Sequence, residues 1–393
     1  MSAVARQTPR SRPRDLFVLV SFLSVGSVLA GDIPRDRSLQ VISGRTMGTT
    51  FTVKFLTSLP AASESSRRRI LQKPSHIEPL NGPLSRSLSP SEGERVSVGR
   101  GAFVKEVESE INRLLEKINR QMSTYLPDSE LSQFNACGHT NWFPVSREVV
   151  EVFENALALS EASQGAFDIT VGPLVNLWGF GPEKRAWQVP EADRIAQLLR
   201  HVGYNKVFAQ TRPPRIRKTA PEVYCDLSAI AKGHGVDRVA QYLEAIRVQD
   251  YLVQIGGEVR AKGKNPEGQT WNVGIQDPRD ASRICRRVQL QNQALSTSGD
   301  YVQSFEQNGR KYSHTIDPRT GRPVTHALAS VSVVHDSSAM ADAWATALNV
   351  LGSEAGFALA AKKGLPVLMV LRTPDGYVEK MTPDFLELIA EAP

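Results

Sequence analysis

The sequence predicts an α+β fold. Two amphipathic helical periods, at 103–125 and 146–164, stand in the N-terminal half, and short strand-like runs separated by turn residues crowd 271–335. Helices and strands interleave, but the hairpin spacing of those runs argues against a doubly wound parallel sheet, and no internal repeat is present.

The elements follow in chain order. Residues 41–57 (VISGRTMGTTFTVKFLT) carry β-branched and aromatic residues around a glycine turn, which reads as a strand pair. Residues 58–100 are rich in Ser, Arg, Pro, Glu and Gly and bury too little apolar surface to offset ordering, so this segment is expected to be a disordered insertion. Val104, Val107, Ile111, Leu114, Leu115 and Ile118 then recur at helical steps within Phe103–Tyr125. Val149, Val152, Phe153, Ala156, Leu157 and Leu159 make the apolar face of a helix over Ser146–Gln164. A shorter helix is expected at 191–202, a strand at Val223–Leu227, a helix at Lys232–Leu243, and a strand at Asp250–Ile255 that runs into Gly256-Gly257. Strands at 271–276, 286–291, 293–298, 311–316 and 328–335 follow, then a helix at Ser338–Leu351 and a strand at Pro366–Leu371.

The chain has 393 residues and a net charge of +6. The basic excess lies before residue 101 and the remainder is close to balanced, so the charge does not mark a nucleic-acid surface. Arg6, Arg10, Arg12 and Arg14 precede a short apolar run, Leu16–Leu29, and Val28-Leu29-Ala30 offers small residues for cleavage. Residues 1–30 therefore read as a signal peptide, the run being short of the ~20 residues a permanent span needs. Leu29-Ala30-Gly31 resembles a lipoprotein processing site, but Asp32 stands where the lipidated cysteine would be. A soluble exported protein, or one tethered only by an uncleaved signal, is expected on the periplasmic or envelope side of the inner membrane. Cys137, Cys225 and Cys285 are too few and scattered for a disulfide framework or a zinc site, and no haem motif or second redox centre appears.

Four segments carry chemistry. Gly165–Pro182 (GAFDITVGPLVNLWGFGP) is apolar and aromatic around one carboxylate, Asp168, and its glycines and prolines interrupt every regular period. It reads as the wall of a pocket for a flat ligand or as a buried core loop. Asp226–Gly235 (DLSAIAKGHG) passes from strand to helix, offering Lys232 and helix N-terminal amides to a phosphate and free carbonyls to a metal. Asp342 and Thr346 fall one turn apart on a helix, two hard oxygen donors suited to Mg²⁺. His314 sits at a strand end before the Asp317-Pro318 turn, where it can act as acid or base.

Together and in order, Thr46–Thr49, Met122–Tyr125, Gly165–Pro182, Asp226–Gly233, Gly256-Gly257-Glu258, Ser296–Gly299, His314–Pro318 and Asp342–Thr346 resemble the ApbE family, the FAD:protein FMN transferases formerly called thiamine-biosynthesis lipoproteins. The resemblance covers nearly everything outside the signal and the insertion. It implies a mixed α/β fold with two subdomains flanking a flavin cleft, so that 41–57 and 101–393 form one catalytic domain. It implies Mg²⁺ held by Asp342, Thr346 and the backbone carbonyl of Ala229. FAD is the implied substrate, contacted by Met47, Tyr125, Ala166, Phe167, Asp168, Asp226, Lys232 and Ile316, with His314 in the transfer chemistry. The implied partners are exported domains of membrane redox proteins that present a Ser or Thr hydroxyl. An FAD pyrophosphatase yielding FMN and AMP, a flavin-binding or storage protein and an electron-transfer flavoprotein are the competing expectations.

Overall fold

The computed structural model describes residues 37–58, 100–183, 187–299 and 304–390. β1 (Arg37–Thr46) and β2 (Thr49–Ser58) form a hairpin in the register Thr46↔Thr49. Helices α1 (Arg100–Met122) and α2 (Glu130–Ala136), the short strand β3 (Phe143–Pro144) and helix α3 (Arg147–Ala162) follow. A single 3₁₀ turn at Ile169–Val171 leads into α4 (Gly172–Leu177), then α5 (Ala192–Leu199). β4 (Val207–Thr211) and β5 (Pro214–Lys218) complete a small sheet in the order β3-β5-β4.

The second half opens with α6 (Ala231–Ala245), β6 (Tyr251–Ile255) and β7 (Glu258–Lys262). A long hairpin, β8 (Trp271–Asp277) and β9 (Asp280–Leu290), precedes β10 (Gln293–Gly299). Two small ribbons come next: β11 (Ser304–Gln307) with β12 (Arg310–Ser313), and β13 (Ile316–Asp317) with β14 (Arg322–Pro323). The chain then passes through β15 (Leu328–His335), α7 (Ser338–Lys363), β16 (Val367–Thr373), β17 (Gly376–Met381) and α8 (Pro383–Leu386).

The large sheet has 8 strands in the order β1-β2-β6-β7-β10-β15-β16-β17, with antiparallel pairing throughout. Successive strand residues point to opposite faces, and in its middle both faces are covered. On one face Phe51, Val53, Tyr251 and Ile255 pack with Val107, Ile111 and Leu115 of α1 and Val236, Val239 and Leu243 of α6. On the other, Leu252, Val259, Leu295, Val334 and Leu368 pack against Trp271, Val273, Val288 and Leu290 of the β8–β9 hairpin. This is why β6 and β15 read as nearly unbroken apolar runs. Alanines at 339, 341, 343, 345 and 347 bury the first half of α7, between the sheet and its neighbours.

Helices α6 and α7 approach closely at Gly233. A β-carbon on Gly233 would lie 2.2 Å from the carbonyl oxygen of Ser338 and 2.7 Å from Cα of Ala339, both backbone atoms that cannot swing away. Asp237 ties the same two helices together. Its carboxylate accepts Ser337 Oγ at 2.7 Å and the amides of Ser338 and Ala339 at 3.0 Å each, so it caps the α7 N-terminus from outside. Arg260 Nη1 completes the carboxylate's shell at 2.6 Å.

The α+β class is as the sequence predicts, while several elements differ. Val223–Leu227 is extended but pairs with no strand: Asn135 takes over the backbone bonds of Cys225, accepting its N–H at 2.7 Å and donating to its carbonyl at 2.8 Å. The expected strand 311–316 breaks at His314 and Thr315, because Ser313 Oγ captures the Thr315 amide at 3.1 Å. Gly165–Pro182 is not wholly irregular. Pro173 stands at the start of α4, where a missing N–H costs nothing, so it opens a helix instead of breaking one. The first helix ends at Met122, three residues early, since Ser123 Oγ takes the amides of Tyr125 and Leu126 at 3.0 and 3.2 Å. β4, β5 and β17 were not anticipated. The helix expected to end at Leu351 continues to Lys363 beyond an interruption at Gly352, whose φ is 79°. Ser58 and Arg100 belong to β2 and α1; the rest of the expected insertion and the signal at 1–30 lie outside the described residues.

Gly233→Ala is expected to lower the unfolding free energy by about 1–3 kcal/mol, the usual cost of forcing atoms into a filled contact. A urea midpoint unchanged from wild type would show that the two helices can separate freely.

Candidate active site

Each polar group at the site is fixed by a local feature of the sequence. At the tip of the β1–β2 hairpin, Met47 and Gly48 both adopt positive φ (49° and 72°), as a two-residue connection demands. Methionine rarely accepts that conformation, so the turn holds strain at a position facing the cleft. Gly256 and Gly257 make the equivalent turn between β6 and β7, with φ of 60° and 110°, and so deliver Glu258 to the same place. Asp168 caps the 3₁₀ turn that follows it: its Oδ1 accepts Thr170 N at 2.8 Å and Thr170 Oγ1 at 2.7 Å. Burial holds its carboxyl above the ordinary range, partly offset by those bonds. Asp226 closes a similar turn on Ser228, accepting its amide at 2.8 Å and its hydroxyl at 2.6 Å. His314 falls between β12 and β13, and Ile316 opens β13 ahead of the Asp317–Gly321 turn, in which Gly321 N–H donates to Asp317 O at 2.8 Å.

These segments converge on one cleft of about 410 Å³, within the range of small-molecule sites. Every residue singled out from the sequence lines it: Met47, Tyr125, Ala166, Phe167, Asp168, Asp226, Ala229, Lys232, His314, Ile316, Asp342 and Thr346. One wall comes from the large sheet with α6 and α7, the other from the 166–181 segment. Tyr125 is 65% exposed at its edge. Glu258, Phe180, Thr297, Ser298, Gly299 and Thr315 also line the cleft and were not assigned from sequence. The paired glycines before Glu258 were the signal that such a turn brings a side chain inward.

The electrostatic centre is a corner formed by Lys232, Asp342 and Glu258. Lys232 Nζ lies 3.3 Å from Asp342 Oδ2 and 3.3 Å from Glu258 Oε1. Burial works against the Lys232 charge, but the Asp342 and Glu258 carboxylates outweigh it and hold the ammonium protonated far above neutral pH. For Glu258, burial raises the pKa well above the carboxylate range; Lys232 opposes this and Asp342 adds to it. The Gly233 amide, one of the donors that the first turn of a helix leaves without an intrahelical acceptor, donates to Asp342 Oδ2 at 3.2 Å.

This donor set suits a hard divalent cation. Two carboxylates face one ammonium, Glu258 Oε2 is buried without a hydrogen-bond partner, and the Ala229 carbonyl and Thr346 hydroxyl open on the same cleft. Among the described residues no three His, Cys, Asp or Glu side chains converge as a self-sufficient metal cage. A hard cation such as Mg²⁺ takes waters and substrate oxygens among its ligands and needs only part of its shell from protein. Cys225 is fully buried beside Asp226, its thiol pushed up by burial, and is no nucleophile; all three cysteines are unpaired.

The fold and the cleft define a class: an α+β enzyme with a ligand-sized pocket that joins an apolar wall to a phosphate- and cation-suited corner. The model of the ApbE family matches residues 47–369. A "FAD:protein FMN transferase" of Haemophilus influenzae is 38% identical over 354 residues, covering 88% of this chain and 90% of the relative. One of Vibrio cholerae is 43% identical over 288 residues, covering 73% of this chain and 86% of the relative. Among solved structures, the "Flavin Transferase ApbE from Vibrio cholerae" superposes with TM-score 0.73 at 38% identity, covering 90% of this chain and 99% of that one. The apo flavinyl transferase ApbE of Pseudomonas stutzeri gives 0.74 at 34% identity, covering 92% and 100%. The chain belongs to the ApbE family, and it is a transferase.

Two residues beyond Lys232, His234 is buried, and burial pushes its pKa down to about 4. The folded protein therefore refuses a proton that the unfolded chain accepts near pH 6.5. Its contribution to stability is complete above that pH and is lost as pH falls toward 4, by on the order of 3 kcal/mol. Denaturation from pH 7 to 4 should show His234→Gln lacking this part of the decline. Parallel curves for the two proteins would place the cause elsewhere.

Proposed function

We propose that the protein moves FMN from FAD to the hydroxyl of a Ser or Thr in a target protein, with Mg²⁺ in the site and AMP as the second product. The observation that carries this reading is the convergence of the Lys232–Asp342–Glu258 corner and His314 on one cleft whose opposite wall is the apolar 166–181 segment. A dinucleotide of flat rings joined by a pyrophosphate has the same division of character.

In this reading the rings lie against Phe167, Ile169 and Tyr125, and the pyrophosphate reaches Lys232. The Lys232 ammonium balances phosphate charge directly. Asp342, Thr346 and the carbonyl of Ala229 would hold the magnesium, with Glu258 behind them; when bound it supplies Lewis acidity and charge neutralisation at the pyrophosphate. His314 takes the proton of the acceptor hydroxyl as its oxygen bonds to the FMN-side phosphorus. The bond from that phosphorus to the bridging oxygen breaks, and AMP carries the electron pair away. Phosphoryl transfer depends mostly on position and charge, so His314 contributes less than the corner does. The acceptor is a domain of an exported redox protein, and the export signal read at 1–30 places this enzyme in the same compartment. Asp32 argues against a lipid anchor, and no described helix is long and apolar enough to cross a membrane.

The test is incubation with FAD, Mg²⁺ and an exported flavoprotein domain bearing an accessible Thr, read by mass spectrometry. An FMN adduct together with AMP is the expected result. AMP and free FMN without adduct would make the protein a pyrophosphatase, and intact bound FAD a carrier. Asp342→Ala should remove magnesium-dependent turnover, and His314→Ala should keep FAD affinity while slowing transfer by about 10²–10⁴-fold, the usual worth of a general base. Unchanged magnesium dependence in Asp342→Ala would refute the metal assignment.

A further inference from the structure

We propose that Trp187, backed by Phe180 and Phe305, is the shelf on which the acceptor polypeptide lies while its hydroxyl reaches His314; this rests on the transferase reading above. Trp187 is 52% exposed yet held in place. Its Nε1–H donates to the carbonyl of Gly179 at 3.0 Å, and the nearby Val189 amide donates to Gln307 Oε1 at 2.9 Å. The indole stacks on Phe305, with centroids 6.1 Å apart and planes at 29°, and leans on Phe180 at 6.1 Å. Phe180 lines the cleft and meets His314 edge to face at 6.3 Å. An aromatic surface thus runs without a break from solvent to the transfer histidine.

A rigid aromatic ring left half in water loses little freedom when a partner covers it, and such anchors carry a disproportionate share of binding energy. The occupant follows from position. Trp187 does not line the cleft that holds the expected FAD contacts, so the dinucleotide has no need of it. The acceptor hydroxyl, by contrast, has to come within hydrogen-bond reach of its base. In an extended polypeptide, side chains on one face recur about every 6.6 Å. The steps from His314 to Phe180 and from Phe180 to Trp187 are 6.3 and 6.1 Å. An apolar side chain two or four residues from the reacting Ser or Thr therefore meets these rings.

The experiment uses the wild-type protein, Trp187→Ala and Trp187→Phe with FAD, Mg²⁺ and a randomised peptide library carrying one fixed threonine. Flavinylated peptides are sequenced by mass spectrometry. Wild type should enrich aliphatic or aromatic residues two or four positions from the threonine. Trp187→Ala should lose that enrichment and raise KM for peptide about tenfold, with kcat and FAD affinity held, while Trp187→Phe keeps both. Identical enrichment in wild type and Trp187→Ala, or a loss of FAD affinity matching the rise in KM, would overturn the shelf. No adduct from the wild-type protein would overturn the transfer reading itself, and the shelf with it.

Discussion

The site depends on the contact between α6 and α7. Each helix carries half of the charged corner, Lys232 on one and Asp342 on the other, and neither half reaches the other unless the backbones almost touch. Gly233 permits that approach by having no side chain. Asp237 then fixes the register by capping α7 from α6, one turn beyond Lys232. The same turn of α6 that presents the cation thus also holds the helix bearing its counter-charge. Because the first half of α7 is buried on nearly all sides, a shift of its start would be felt along the strands beneath it.

The corner is arranged to receive charge. Lys232 balances Asp342, burial raises the pKa of Glu258, and Glu258 Oε2 has no hydrogen-bond partner. A protein that needed this spot only for stability would gain by replacing the trio with apolar side chains. A cation entering the corner would favour the ionised form of Glu258 and give Oε2 a partner, and the low dielectric of the pocket strengthens that interaction. The opposing wall contributes shape more than charge: Asp168, its one carboxylate, is already engaged as a cap.

Most of this was legible in the chain. Side-chain periodicity gave α1 and α3, because amphipathic helices on a covered sheet declare their buried face. The short motifs that carry the family resemblance lie far apart in the chain, and the fold brings the residues they name to one cleft. The illegible parts have specific physical causes. Val223–Leu227 looked like a strand because its composition suits an extended chain, and nothing local reveals that Asn135, 90 positions away from Cys225, replaces a neighbouring strand. Pro173 looked like a breaker because proline both opens and ends helices, and only the next turn decides which. Glu258 was passed over because its importance comes from Lys232 and Asp342, neither of them near it in sequence.

The β1–β2 hairpin has a consequence for how the chain tolerates added length. β2 leaves the cleft at Met47 and Gly48 and runs 10 residues to Ser58, a span of about 30 Å. Helix α1 starts at Arg100 and returns over 23 residues to the neighbourhood of Tyr125, also on the order of 30 Å. Strand and helix act as two struts of matched length, with the chemistry at one end and the junctions to residues 59–99 at the other. Extra sequence grafted at those junctions is attached at the ends of the strand and the helix that are remote from Met47 and Tyr125.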